Sequence, residues 1–352
     1  MKRNTYLKIK LDNICYNINK LISTFDNYLY YFGVVKANCY GCGDITLIKN
    51  IINNGCNYLA VATLDEALYI RKNIKDIPIL CLGVIPSNYI ELCKKENITV
   101  TINSLNYLNE IIKYDIKDLI IHIKINTGMN RLGINDNNEL KKVVEILKQN
   151  NILIEGVYTH IYNASNKTSY EKQLDLFKTL IYNNNLNNIK IVHMSQSEAM
   201  VNYSKPDFVN GCRLGIIMYG FNDKINLKSV VELCSEVIQI HTLKKGETVG
   251  YDAKYTAMED NEKIAVIPIG YRDGIIRTNS GRYVFINNNK YYIVGNICMD
   301  MLFVKVDSTV KEHNVVYLLK DNNHIKYVSN YLNTIPYEIL TSIGDRVYRI
   351  YG

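Results

Sequence analysis

Apolar residues come in short runs along the first two thirds of the chain. The candidate strands are 31–36 (YFGVVK), 57–62 (NYLAVA), 78–83 (PILCLG), 98–102 (ITVTI), 119–126 (LIIHIKIN), 154–160 (IEGVYTH), 189–194 (IKIVHM) and 213–218 (RLGIIM). Runs of this length, bounded by polar turns, read as buried strands. The stretches between them carry helical spacing. Leu140, Val143, Val144 and Leu147 fall at i, i+3, i+4 and i+7, one face of a helix. Asp65 and Glu66 open another, where negative charge suits a helix N-terminus. Eight strand–helix units over ~200 residues predict an α/β fold with an N-terminal (β/α)8 barrel of the TIM type. A doubly wound sheet competes, but no G-x-G-x-x-G follows the first strand, which weakens its dinucleotide-binding version.

The texture changes after about residue 225. LCSEVIQIHTL, KIAVIPIG, RYVFINNNKYYIVG, LFVKVD and NVVYLL are β-rich, with Asn- or Gly-containing turns between them. The expected division is residues 1–225 as barrel and 226–352 as a mainly antiparallel β domain. The first stretch, about 1–10, is free to pair with the C-terminal domain. The run YNNNLNN (182–188) reads as a surface loop.

A chain of 352 residues has room for such a pair of domains. Its net charge of +7 is spread without a cluster, which argues against a nucleic-acid face. It suits a phosphorylated or carboxylate ligand equally well. No apolar run approaches the ~20 residues of a membrane span. The start, MKRNTYLKIK, lacks the apolar core of a signal peptide. The 9 Cys are scattered and odd in number, so a cytoplasmic protein with reduced thiols and no membrane attachment is expected. Cys39 and Cys42 have C-x-x-C spacing, but no second pair completes a zinc site, so they read as small residues lining a turn.

In a barrel of this type functional groups gather at the C-terminal ends of the strands. Lys36 ends the first run, and Lys124, Asn126 and Arg131 close or follow the fifth. His160 ends the sixth, His193 and Ser197 lie at or after the end of the seventh, and Arg213 begins the eighth with Gly215 and Ile216 just beyond. A desolvated Lys with cationic neighbours loses its proton easily and can form an imine. Imine chemistry on amino acids points to a carbonyl cofactor, of which pyridoxal 5'-phosphate is the common one. Its phosphate needs hydroxyls and free N–H groups, which Tyr40, Ser197, Gly215 and Ile216 could supply.

Nine segments in order resemble the alanine racemase family: VVKANCYGCG, AVATLDEA, KINTGMNRLG, GVYTH, RLGIIMYG, VGYDAKYTA, IGYRDGIIR, VGNICMDM and GDRVYRIY. The resemblance implies a pyridoxal-phosphate barrel followed by a β domain, in a head-to-tail homodimer with shared active sites. It implies interconversion of L- and D-alanine on the cofactor-bound substrate, for peptidoglycan supply, by two bases, Lys36 and Tyr251. Lys36 would hold the cofactor as a Schiff base, and Tyr40 and Ser197 would touch its phosphate. His160 would stand near the pyridine ring and Arg213 would face its nitrogen. Arg131 would meet cofactor and substrate, propped by a carbamylated Lys124. Tyr251, Met299 and Asp300 would come from the partner, with Tyr271 and Arg277 along the substrate corridor. The serine racemases of vancomycin resistance resemble the same family, so serine is the alternative substrate. A barrel decarboxylase of basic amino acids would need a late catalytic Cys, for which Cys298 is the candidate. A pyridoxal-phosphate carrier barrel would lack the β domain. Several positions depart from the family pattern: Cys42, Asn126, Gln196, Arg272, Asn296 and, before the R-V pair of the tail, Asp345 in place of Tyr. An Asp beside a phosphate would repel it, so either Asp345 turns away or the local alignment with the family slips.

Overall fold

The computed structural model describes residues 3–352. After the first strand, β1 (Tyr6–Ile9), eight parallel strands close into a barrel. They are β2 (Tyr30–Val34), β3 (Tyr58–Val61), β4 (Ile79–Cys81), β5 (Ile98–Ile102), β6 (Ile120–Lys124), β7 (Leu153–Tyr158), β8 (Ile191–Gln196) and β9 (Gly211–Leu214). β3, β4, β5 and β9 are buried at every position, as expected of strands covered by helices outside and packed side chains inside. The helix Asn137–Gln149 buries Leu140, Val143, Val144 and Leu147. Each such side chain contributes roughly 1.5–3 kcal/mol when removed from water. The helix Leu64–Asn73 starts on a capping box of Thr63 and Glu66.

The second domain adds β10 (Val231–Glu236), β11 (Gln239–Leu243), β12 (Thr248–Val249), β13 (Tyr255–Thr256) and β14 (Glu262–Ile267). It continues with β15 (Tyr283–Ile286), β16 (Asn289–Val294), β17 (Leu302–Val306), β18 (Val315–Leu319) and β19 (Tyr348–Tyr351). Its ten strands and β1 form two sheets: a large one in the order β11-β14-β17-β16-β15-β18-β10-β1-β19, and the ribbon β12-β13. All pairs in the large sheet are antiparallel except β1 with β19. β1 sits between β10 and β19, with Tyr6 opposite Cys234 on one side and Tyr348 on the other. Met1 and Lys2 of the stretch 1–10 lie outside the described residues.

Three local expectations are corrected. The first run stops at Val34, so Lys36 is not a strand residue. The eighth strand is Gly211–Leu214, with Arg213 its third residue rather than its first. It ends because Gly215 turns the chain into the 3-10 helix Ile216–Tyr219. The 182–188 run begins inside the helix Lys167–Asn183, and its Leu186 is buried. The second domain also carries two helices, Asn322–Tyr331 and Pro336–Thr341, that strand-length patterns did not reveal.

Candidate active site

The stretch VVKANCYGCGD makes an unusual turn. Lys36 leaves the end of β2, and Ala37, Asn38, Cys39 and Tyr40 all have φ between 51° and 57°. Such left-handed geometry costs non-glycine residues roughly 1–2 kcal/mol each. The turn is held from several sides. Ala37 N donates to Glu66 Oε1 at 2.6 Å, and Gly41 N and Gly43 N donate to Ala37 O and Asn38 O. Glu66 also accepts from Ala62 N, so one carboxylate fixes both this turn and the start of the next helix. Cys39 and Cys42 are buried and unpaired, with thiols pushed up by burial, Cys42 to about 12. The strained turn aims Lys36 and Tyr40 into the barrel mouth.

There they meet a cavity of about 550 Å³ that also takes in Lys124, Arg131, His160, Ser197, Arg213, Gly215 and Ile216. At one end Tyr40, Ser197 and Gly215 form a cradle. A Cβ on Gly215 would come within 2.8 Å of Tyr40 Oη and 3.6 Å of Ser197 Oγ. Only glycine leaves that space open. Gly215 N donates to Ser197 Oγ at 3.4 Å. Ser197 opens a short helix capped by Gln196, whose Oε1 accepts from Glu198 N, so glutamine does the capping here.

The cavity is rich in cations. Lys36, Lys124, Arg131, Arg213 and Lys326 line it, against the carboxylates of Glu198 and Asp223, and Asp223 is paired with Lys326. Burial, then Arg131, lowers the pKa of Lys36, although Glu66 opposes this. Burial, then Arg213 and Arg131, pushes Lys124 well down. Its Nζ lies 4.5 Å from the centre of the Tyr158 ring. His160 is driven down to about 2 by burial and the surrounding cations, so it is neutral. Arg131 rides on a loop tied by Asn126, whose Oδ1 accepts from Gly128 N and Asn130 N.

Arg213 is buried and is held from below by a chain of hydrogen bonds. Its Nη1 donates to His193 Nδ1 at 2.8 Å. His193 Nε2 then donates to His122 Nδ1 at 3.0 Å, and His122 Nε2 donates to Glu155 Oε2 at 3.3 Å. An arginine can only donate, so each imidazole accepts through Nδ1 and carries its proton on Nε2. Burial keeps both histidines neutral. Glu155 also accepts from Tyr58 and Lys190, and these bonds outweigh its burial and bring its carboxyl down to about 2. Gly156 makes room for the chain, since a Cβ there would lie 2.5 Å from the His122 ring. Burial lowers Arg213 only to about 10, so it remains a cation at neutral pH.

The remaining candidates gather elsewhere. Tyr251 is 70% exposed at the tip of the β12–β13 ribbon. Asn296 Nδ2 clamps that tip by donating to Tyr251 O and Asp252 Oδ2, both at 3.1 Å. Tyr271 N and Arg272 N donate to Cys298 O and Met299 O, joining a second loop to the segment that carries Met299 and Asp300. Asp300 is paired with Arg346 at 2.8 Å, and buried Asp273 binds Arg3 and Arg346. Tyr251, Tyr271, Met299 and Asp300 thus form one exposed group, none of it lining the cavity of the same chain.

The family model for the alanine racemase N-terminal domain matches residues 9–223, and that for the alanine racemase C-terminal domain matches 230–351. The chain belongs to the alanine racemase family. It is 36% identical to an alanine racemase of Staphylococcus epidermidis over 99% of this chain and 95% of that one. It is 34% identical to alanine racemase 1 of Bacillus subtilis, over 99% and 93% of the two chains. The crystal structure of alanine racemase from Bacillus anthracis with bound L-Ala-P superposes with a TM-score of 0.93 at 30% identity, covering 99% of this chain and 95% of that one.

Against the pattern of that family, Asp345 turns away. It is exposed, pairs with Arg272 at 3.3 Å and does not line the cavity. The sequence reading missed Tyr337, which lines the cavity with its ring 5.9 Å from that of Tyr40. A phenol therefore stands beside the cradle although position 345 offers none. His122 and Glu155 were read only as strand residues.

Proposed function

We propose that the chain interconverts L- and D-alanine with pyridoxal 5'-phosphate, using Lys36 on one face of the substrate and Tyr251 of a second copy on the other. The observation that carries this reading is the split site: a cation-lined cavity holding Lys36, and an exposed group holding Tyr251. The cofactor fits the cavity on its chemistry. The cradle left open by Gly215, with two hydroxyls and a backbone N–H, suits a phosphate. An amine with a lowered pKa suits an aldehyde. When bound, the cofactor delocalises negative charge left on the substrate Cα.

The chain's residues do the rest. Lys36 in its neutral form takes or returns a proton at Cα from its own side. Arg213, aligned by His193, His122 and Glu155, would meet the ring nitrogen as a donor and disfavour its protonation. That would restrain charge delocalisation and favour return of the proton to Cα. Neutral His160 would stand near the ring without adding charge. Arg131 holds the substrate carboxylate. Burial and its cationic neighbours make Lys124 give up its proton more readily; the neutral amine is the form that takes up carbon dioxide, and a carbamate there would offset the charge of Arg131. Tyr251 from the partner works on the opposite face, with the partner's Met299, Asp300 and Tyr271 closing the substrate pocket. We read the enzyme as a cytoplasmic supplier of D-alanine for peptidoglycan. Among the described residues no helix is long and apolar enough to cross a membrane.

Mixing two inactive chains tests the reading. Lys36→Ala and Tyr251→Phe proteins are each expected to lose about 10²–10⁴-fold in kcat. Unfolded and refolded together, they should regain activity, because each hybrid dimer assembles one intact site. No recovery from confirmed hybrid dimers would overturn the shared site.

A further inference from the structure

Tyr251 lies in the tip that joins β12 to β13, and its side chain stands largely in water. Its place is therefore set by the backbone beneath it. The ribbon supports that backbone poorly. β12 and β13 pair at only two positions, Thr248 with Thr256 and Val249 with Tyr255. A two-stranded ribbon this short is marginal in water. The tip is also bent against ordinary preference. Gly250 has a φ of 73°, and Asp252 and Ala253 have φ of 61° and 47°. Left-handed geometry at two non-glycine residues persists only where the surroundings hold it.

Root and tip are held separately. At the root, Tyr255 Oη donates to Glu262 Oε2 at 2.6 Å, and the same carboxylate is paired with Lys305 at 2.7 Å. Gly250 then lets the tip settle onto β17, since a Cβ there would lie 2.9 Å from the Phe303 ring. The polar hold on the tip comes from Asn296, in the segment after β16. An amide nitrogen has two N–H donors. Asn296 spends one on Tyr251 O and the other on Asp252 Oδ2, each at 3.1 Å. Arg277 Nη2 is 4.0 Å from the same Asp252 oxygen, beyond hydrogen-bond reach. Asn296 is also one of the positions that depart from the family pattern. We propose that Asn296 is a positioning residue for Tyr251: its amide fixes the ribbon tip in the placement from which the phenol meets the substrate Cα of a second copy. This rests on the reading of Tyr251 as the second base. Proton transfer depends steeply on placement, and a displacement of about 1 Å can cost ~10²-fold in rate. Because Asn296 acts through Tyr251, its loss should show in kcat rather than KM, and on one face of the substrate only.

Three variants of the cofactor-bound enzyme test this: Asn296→Ala, Asn296→Asp, and Asn296→Asp combined with Asp252→Asn. Asn296→Ala should lower kcat by about tenfold, with KM within about twofold and the Schiff-base absorbance unchanged. Amide hydrogen exchange at residues 250–254 should quicken while that of the barrel strands does not. Asn296→Asp keeps the shape but sets a second carboxylate against Asp252, so it should lose more than Asn296→Ala. The exchanged pair moves the donor to position 252 and should recover kcat by at least about threefold over Asn296→Asp. In Asn296→Ala the α-deuterium isotope effect should be expressed more fully from the enantiomer whose α-hydrogen faces Tyr251, and less from the other. An equal change from both enantiomers, or an unchanged kcat in both single variants, would overturn the proposal. Tyr251→Phe separates the two readings. Lost activity there, with none lost in the Asn296 variants, removes the clamp alone. Full activity there removes the second base and the clamp with it. Should Asn296→Asp fail to fold, the isotope effects of Asn296→Ala decide.

Discussion

The barrel mouth and the outward-facing loops of the second domain carry two halves of one candidate site in opposite physical states. At the mouth, Lys124, Arg213 and His193 are buried, and Arg213 is locked by a chain of bonds down to Glu155. On the loops, Tyr251, Tyr271, Met299 and Asp300 are exposed, though their backbones are tied together. Buried groups had their pKa values moved by desolvation and by one another. The exposed group has kept its side chains in water. One half is completed by its own chain, and the other is positioned but not enclosed. The contrast teaches that the barrel fixes charge, while the second domain presents an exposed surface, which the proposed function sets to work on another copy.

The largest effect that would sharpen this comparison comes from the mouth. Lys36→Ala should remove both cofactor attachment and one base, lowering kcat by about 10⁴-fold and abolishing the Schiff-base absorbance band. Retention of that band would break the assignment. Next comes the support beneath Arg213. His193→Phe strands a buried guanidinium and a buried imidazole, at a cost of about 2–4 kcal/mol in stability. It should also lower kcat more than it raises KM, since Arg213 loses its alignment. A drop in stability with kcat unchanged would reduce the chain of bonds to a structural support.

Acidity separates the halves further. His122, His160 and His193 have folded pKa values below the ordinary one. The unfolded chain therefore binds more protons below about pH 6.5, and stability falls as pH falls through that value. Each histidine contributes a slope of about 1.4 kcal/mol per pH unit. Urea midpoints taken between pH 7 and pH 5 should fall steeply, and less steeply in His160→Phe. The smallest effect belongs to the exposed ion pair. Asp345→Ala removes the partner of Arg272 and should cost less than about 1 kcal/mol. Because Asp345 does not line the cavity, the ratio of alanine to serine turnover should stay within roughly twofold. A large shift toward either substrate would bring Asp345 into the pocket of the assembled enzyme.

Much of the barrel was legible because buried parallel strands leave unbroken apolar runs, and because the residues of its mouth follow those runs. The quoted motifs supplied Tyr251 and Met299, which periodicity alone leaves anonymous. Other parts were not legible, for physical reasons. His193 and His122 touch across 71 positions of sequence and sit inside apolar strands, where a lone histidine looks like core. The left-handed turn at Ala37–Tyr40 runs against the preferences of its own residues and exists only because Glu66 and neighbouring elements hold it. Tyr337 reaches the cavity from a helix that is too short to leave a period.

The first strand has a consequence for how the molecule is made. β1 leaves the ribosome before any of the barrel, yet its partners β10 and β19 are synthesised more than 200 residues later. Throughout translation its hydrogen-bonding edges must wait, while the barrel can already form from local strand–helix contacts. The large sheet is completed only when β1 and β19 zip together side by side, Gly352 N donating to Ile9 O. A polypeptide lacking β19 would leave that edge unsatisfied and the assembly open to strand exchange.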